Sequence, residues 1–217
     1  MRGAPPSTDR LCEISTRMAS LPGTDLRRRL AIAADAPALV GLIRAAYRGP
    51  ASYERWTTEE HLVRGTRTDE RAVLAAIEPA GSAMLVVEDD GGGEPVACCR
   101  IADRGNGLAY FGMFAVDPAR QGGGTGRRLV QWAELAAAEL FGAQTLELEV
   151  LGQQQQLRNW YERLGYGPTG ETRPFPADPV FAVPMRDDLY LVVLTKRLSD
   201  ADGVGAGSPD AGGSIGT

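Results

Sequence analysis

Apolar and polar positions follow two different periods along this chain. Leu129, Ala133, Ala136, Ala137 and Leu140 recur at three- and four-residue spacing, which predicts an amphipathic helix packed on a sheet. From Thr145 to Val150 the period drops to two, with Leu146, Leu148 and Val150 alternating against Glu147 and Glu149 as in a half-buried strand. Ala83 to Val87, Val96 to Ile101 and Leu108 to Val116 are apolar runs that predict three more strands. Turns at Asp89-Asp90-Gly91 and Arg104-Gly105-Asn106-Gly107 join them.

Upstream, Arg27 to Ala33 predicts a short opening strand. Asp35 stands where it would cap a helix that buries Leu39, Val40, Ile43, Ala46 and Tyr47 and stops at Gly49. Thr57 with Glu60 forms a capping-box pattern for a charged helix carrying His61, and a further helical stretch spans Asp69 to Ile77 before Pro79. Downstream, Gln154 to Leu164 reads as helix, Tyr166 to Glu171 as extended chain and Leu189 to Leu198 as a final strand. With no repeat and no second core, these elements predict one α/β (α+β) domain over residues 27–198. Residues 1–26, with Pro5-Pro6-Ser7-Thr8, and the Gly/Ser-rich residues 199–217 carry no period and are expected to be disordered extensions. Met18 opens a second natural beginning.

The candidate chemistry centres on Val116 to Arg128, V-D-P-A-R-Q-G-G-G-T-G-R-R, between the strand ending at Val116 and the helix from Leu129. Glycines let backbone N–H groups converge on an anion, and a helix N-terminus adds its positive end, so a phosphate-bearing ligand is expected there. A P-loop needs Gly-Lys-Ser/Thr, but Gly126 is followed by Arg127 and Arg128. A dinucleotide fingerprint counted from Gly122 needs glycine where Arg127 stands. Gly91 to Gly93 follow Glu88-Asp89-Asp90, whose charge repels phosphate, and read as a plain turn.

Pro118-x-x-Gln121-Gly122-x-Gly124-x-Gly126 resembles the pyrophosphate-binding turn of the GNAT family of acetyl-CoA-dependent N-acetyltransferases. A second segment resembles the same family: the strand at Leu148, a short loop, then a helix ending in Tyr161-Glu-Arg-Leu-Gly-Tyr166. The resemblance spans residues 27–198 and implies a mixed sheet of about six to seven strands flanked by about four helices. It implies acetyl-CoA as co-substrate, held by Phe114, Ala115, Val116, Gln121, Gly122, Gly123, Gly124, Thr125, Gly126 and Arg127. It also implies acetyl transfer to a primary amine, on a small molecule or a peptide N-terminus, by direct attack through a tetrahedral intermediate. Tyr161 is then the proton donor to the departing thiolate. Glu149 matches a carboxylate used as general base in some members, although an outward-facing strand glutamate fits the pattern equally. Members often carry Asn where this chain has Gln154.

Composition narrows the picture. With 43% hydrophobic residues in 217, one substantial core is expected. No apolar run approaches the ~20 residues of a membrane helix, and the first residues lack a secretory pattern, so a cytoplasmic protein without membrane contact is expected. Three cysteines, two adjacent at Cys98 and Cys99, make no disulfide framework, and one histidine without Cys-x-x-Cys leaves zinc without ligands, so no metal is expected. The net charge of −5 argues against nucleic acid as a partner and mildly favours cationic acceptors. Cys98 and Cys99 read as strand interior, not as nucleophiles, and Arg27-Arg28-Arg29 as a charged lead into the first strand. Glu171 to Asp188 is an irregular insertion between the last two strands, expected either to cover the acceptor cleft, with Asp187 and Asp188 for a cation and Arg173 for a carboxylate, or to be proline-rich packing with solvated charges. Monomer and homodimer both fit the sequence, and a non-catalytic acyl-CoA-binding module is the alternative function.

Overall fold

The computed structural model describes residues 26–48, 61–89 and 93–198. The two terminal extensions, the stop at Gly49, the Thr57–Glu60 capping box and the Asp90-Gly91 turn lie outside them. In chain order the elements are β1 (Leu26–Leu30), α1 (Ala36–Arg48), β2 (Val63–Arg64), α2 (Glu70–Ile77), β3 (Ser82–Asp89), β4 (Pro95–Gly105) and β5 (Leu108–Val116). They continue as α3 (Thr125–Phe141), β6 (Thr145–Leu151), α4 (Gln155–Arg163), β7 (Gly167–Pro174), β8 (Val183–Pro184) and β9 (Tyr190–Arg197). Seven strands form one sheet in the order β1-β3-β4-β5-β6-β9-β7, antiparallel throughout except for the parallel pair β5–β6. Among the described residues this is a mixed α/β sheet with four α-helices.

The apolar runs are continuous because the central strands are buried on both faces. On β3, Leu85 and Val87 face a core completed by Leu129, Trp132 and Ala136 of α3, while Met84 and Val86 face Leu39 and Ile43 of α1 and Val73 of α2. Cys98 and Cys99 fall on opposite faces for the same reason. Each fully buried Leu or Ile adds about 1.5–3 kcal/mol of transfer free energy. The helix pattern around Leu129 therefore has a direct physical counterpart in α3, whose Leu129, Ala133, Ala136, Ala137 and Leu140 are all buried.

Several boundaries differ from the pattern-based expectation. Asp35 does not cap α1. It ends a short 3-10 turn, where the Arg29 guanidinium grips its carboxylate with both Nη atoms at 2.6 and 2.9 Å and Ile32 N–H donates to it at 2.8 Å. Those bonds turn the carboxylate back toward β1 and hold its pKa below the usual range, the Arg29 hydrogen bond being the largest cause. Arg29 also reaches Glu88 at 3.0 Å, so the arginine run lies within β1 and is not a free lead. His61 is exposed in a turn, not on a helix. Asp69 does cap α2, accepting Ala72 N–H at 2.7 Å, a contact worth about 1 kcal/mol. β7 runs on to Pro174 because, after a register shift, Thr172 to Pro174 pair again with β9. The first residues of the expected insertion are therefore strand.

The two-residue strands β2 and β8, invisible in the sequence pattern, form a second small sheet, Val63 opposite Pro184 and Arg64 opposite Val183. Gly65 follows directly at φ +110°. A Cβ there would lie 2.6 Å from the Val180 carbonyl oxygen and 2.8 Å from the Phe181 carbonyl carbon. Gly65→Ala is expected to destabilise the fold by about 1–3 kcal/mol, because rigid backbone blocks the methyl and the φ is strained as well. The change in unfolding free energy from a denaturant titration checks this.

Candidate active site

β5 and β6 pair from Leu108↔Thr145 to Phe111↔Leu148 and no further. The cause lies on β5. Its pairing with β4 shifts register between Cys98 and Arg100, opposite a stretch in which Met113 adopts φ +45°, unusual for a residue with a side chain. The bulge bends the end of β5 away, and a cavity of about 890 Å³ opens where the next rungs would be. Beyond the parting, the freed edge of β5 has two carbonyls held by side chains: Tyr47 Oη donates to Phe114 O at 2.7 Å and Gln121 Nε2 to Val116 O at 3.2 Å. In a strand, N–H and C=O of one residue point to the same side, so the N–H groups of Phe114 and Val116 share this edge. The N–H of Ala115 points the other way and hydrogen-bonds Cys98.

The glycine turn closes one end of the cavity. Asp117 accepts Ala119 N–H at 2.9 Å and sets a 3-10 turn over Pro118–Arg120, and Arg120 pairs with Asp89. Gly122 and Gly124 then take φ +92° and +82°, and Gly124 is the N-cap of α3 without any side-chain cap. The first N–H groups of α3 are thus left for a ligand. Gly126 is needed for proximity: a Cβ there would sit 3.1 Å from the Phe114 ring, so the helix end lies directly on β5. Gln121 Oε1 is buried without a hydrogen-bond partner, while its Nε2 holds the Val116 carbonyl. Gln121, Gly122, Gly124, Gly126 and Arg127 border the cavity, as do Phe114, Ala115 and Val116, whereas Gly123 is exposed outside its lining and Thr125 is buried in the first turn of α3.

Tyr161 reaches the same cavity from α4, only 4% exposed. Its ring packs edge-on against Trp160, Tyr166 and Phe111, with centroids 4.8, 5.7 and 6.4 Å away. Burial pushes its pKa well above the ordinary 10, with smaller contributions from Tyr47, Cys99 and Tyr110, so the hydroxyl keeps its proton at neutral pH. Gln154, at the N-cap of α4, is buried and borders the cavity.

Glu149 lies on the wall of the cavity just past the parting point. It is neither free nor simply solvated. Arg173 Nη1, two strands away on β7, donates to Glu149 at 2.5 Å and to Glu147 at 2.9 Å, while its Nε donates to Glu171 at 2.7 Å. The second Glu149 oxygen faces the Tyr110 hydroxyl at 3.5 Å. Tyr110 itself lies flat over Gly112, where a Cβ would come within 2.6 Å of its ring. Tyr47, Tyr110, Phe175 and Phe181 also line the cavity but carry no motif. The only sequence signal for Tyr110 is the glycine two residues on.

Cys98 and Cys99 are fully buried, and burial raises the Cys98 thiol to about 12 and Cys99 well above its ordinary value. An aromatic disulfide reagent at pH 8 is therefore expected to leave both unlabelled in the folded protein and to modify both after unfolding. Among the described residues, no three His, Cys, Asp or Glu side chains are grouped to hold a metal ion, and no helix is long and apolar enough to cross a membrane.

A family model described as the acetyltransferase (GNAT) family matches residues 36–166. Solved structures of the same fold include the ribosomal-protein-S18-alanine N-acetyltransferase of Escherichia coli. It is 18% identical with a TM-score of 0.59, over 82% of this chain and 97% of that one. The yncA protein of Salmonella typhimurium, with its cofactor acetyl-CoA, is 20% identical with a TM-score of 0.57, over 84% and 99%. A spermidine N-acetyltransferase SpeG chimera from Vibrio cholerae and hSSAT is 15% identical with a TM-score of 0.57, over 81% and 96%. No curated protein matches the chain in sequence. The matched segment takes in α1, the parted strands, the glycine turn and Tyr161, and the chain belongs to the GNAT acetyltransferase family.

Proposed function

We propose that the protein transfers the acetyl group of acetyl-CoA to a primary amine of a small molecule or peptide by direct attack, without a covalent acyl-enzyme. The observation that carries this reading is that an uncapped helix N-terminus, a freed strand edge and a buried tyrosine all border one cavity. Acetyl-CoA supplies the activated thioester. The N–H groups of α3 and the Gly122–Gly124 turn hold its pyrophosphate, with Arg127 beside them. The cavity-side N–H groups of Phe114 and Val116 anchor its arm and polarise the acetyl carbonyl.

An amine with a pKa near 10 arrives largely protonated and must lose a proton before it attacks. In this reading Glu149 accepts it, since it borders the cavity with its side chain held by Arg173. Tyr161 offers its hydroxyl hydrogen to the departing sulfur. The test is coenzyme A thiol release from acetyl-CoA by the purified protein with amines added. Amine-dependent release supports the reading. Silence with every amine, while acetyl-CoA still protects the protein against heating, would leave a binding module in its place.

A further inference from the structure

On the acetyl-transfer reading, with Tyr161 as the proton donor, we infer that Glu134 is a positioning residue: acting through Tyr166, it fixes the ring whose hydroxyl meets the departing sulfur. Behind Tyr161 lies a shielded three-way junction that acetyl transfer does not itself use. Glu134 of α3, Lys196 of β9 and Tyr166, in the chain between α4 and β7, meet there. Tyr166 Oη donates to Glu134 Oε1 at 3.0 Å, and Lys196 Nζ donates to both carboxylate oxygens at 2.8 and 2.7 Å. Tyr166 is 2% exposed and the Glu134 side chain 14%, so this is no surface ion pair of negligible worth but the acceptor that a buried phenol requires. Burial first, and then the Glu134 charge, push the Tyr166 pKa up, so its hydroxyl stays a donor to that carboxylate.

The junction reaches Tyr161 by two routes. Tyr166 N–H donates to the Tyr161 carbonyl at 3.1 Å, and the two rings meet edge-on with centroids 5.7 Å apart. The turn between them is tight, with Gly165 at φ +93° and any Cβ on it 3.4 Å from Lys196 Cε. Without the Glu134 carboxylate, the phenol and the ammonium both lose their acceptor, and Tyr166 turns to find another. The face it presents to Tyr161 turns with it. A reacting group misplaced by about 1 Å can cost about 100-fold in rate, so a small rotation here is felt at the thioester. Glu134 also sits on α3, the helix whose first turn faces the cofactor end of the cavity. One carboxylate thus keys that helix to the ring that protonates the sulfur.

The experiment measures kcat and the KM for acetyl-CoA by thiol release, with whichever of spermidine, phenethylamine and the tripeptide Ala-Gly-Gly turns over fastest. The variants are Glu134→Ala, Glu134→Gln and Tyr166→Phe, each in the natural chain and combined with Tyr161→Phe. Glu134→Ala and Tyr166→Phe are each expected to lower kcat about tenfold and to change the KM for acetyl-CoA less than about twofold. Glu134→Gln keeps a carbonyl oxygen for the hydroxyl and the ammonium, and is expected to recover most of that loss. In the Tyr161→Phe background the same substitutions are expected to change kcat less than about twofold, because the group they position is gone. A merely structural role would lower kcat by the same factor in both backgrounds, and that result overturns the inference, as does full kcat in both Glu134→Ala and Tyr166→Phe. Either failure leaves acetyl transfer standing. If Glu134→Ala melts below the assay temperature, Tyr166→Phe decides, since it leaves the Glu134–Lys196 pair in place. A kcat unaltered by Tyr161→Phe alone overturns the inference by removing the donor it acts through. No release by the natural chain with any of the three amines sinks acetyl transfer and this inference together.

Discussion

Tyr161→Phe is expected to lower kcat for acetyl transfer by about 100-fold or more, within the range that a positioned proton donor contributes, while acetyl-CoA binding stays within about twofold because only one oxygen is removed. The ring is locked among Phe111, Trp160 and Tyr166, so phenylalanine keeps the packing. What disappears is a hydroxyl that burial keeps protonated. A thiolate leaving into the same apolar surroundings is also poorly solvated and thus more basic than in water. It takes either a strong hydrogen bond or the proton itself from the nearest donor. Steady-state kinetics with a fixed amine, beside an equilibrium titration with acetyl-CoA, separates the two effects. An unchanged kcat would remove Tyr161 from the chemistry.

Gly124→Val is expected to weaken acetyl-CoA binding by about 10-fold to 100-fold, since a β-branched residue forced to φ +82° carries on the order of 1–3 kcal/mol of strain. There is open space around this Cα, so no clash is involved. The penalty acts on the backbone: relaxing φ rotates the N–H groups of the turn and of the first residues of α3 away from their common focus. Because Gly124 has no packing partner, the folded core should be spared. The expected signature is a melting temperature close to that of the natural chain without ligand and a lost rise when acetyl-CoA is added. Undiminished protection would mean that the pyrophosphate sits elsewhere.

These two residues were visible in the sequence because each belongs to a local pattern. Gly122, Gly124 and Gly126 stand between an apolar strand and a helix with Leu129, Ala133 and Ala136 on one face, and both neighbours form as that pattern predicts. The family assignment drawn from them agrees with the matched family model, and the mixed seven-stranded sheet agrees with the expected fold. What the pattern could not carry is anything decided across strands. The register shift at Cys98/Arg100, which opens the cavity, depends on how β4 and β5 are paired, not on the composition of either. Arg173 meets Glu147 and Glu149 only because β9 brings β7 to within a side chain's reach of β6. Val63-Arg64 and Val183-Pro184 are too short to show any period, yet they hold one wall of the cavity. Asp35 departs from its local pattern for a related reason. A residue before a helix looks like a cap until an arginine from the neighbouring strand claims its carboxylate.

The parting of β5 and β6 has a mechanical side. Four rungs, Leu108↔Thr145 to Phe111↔Leu148, form the seam between one bank of the sheet, β1-β3-β4-β5, and the other, β6-β9-β7. At so short a seam fewer backbone hydrogen bonds join the two banks than full-length pairing would supply, and the core packed across them carries the rest. A ligand that fastens onto the freed edge of β5 while touching Tyr161 and Glu149 on the opposite bank works as a clasp. Amide hydrogen exchange along β6 and β9 should therefore slow when acetyl-CoA is bound. A slowing confined to the cavity-lining residues would mean that the two banks are already fixed by their shared core.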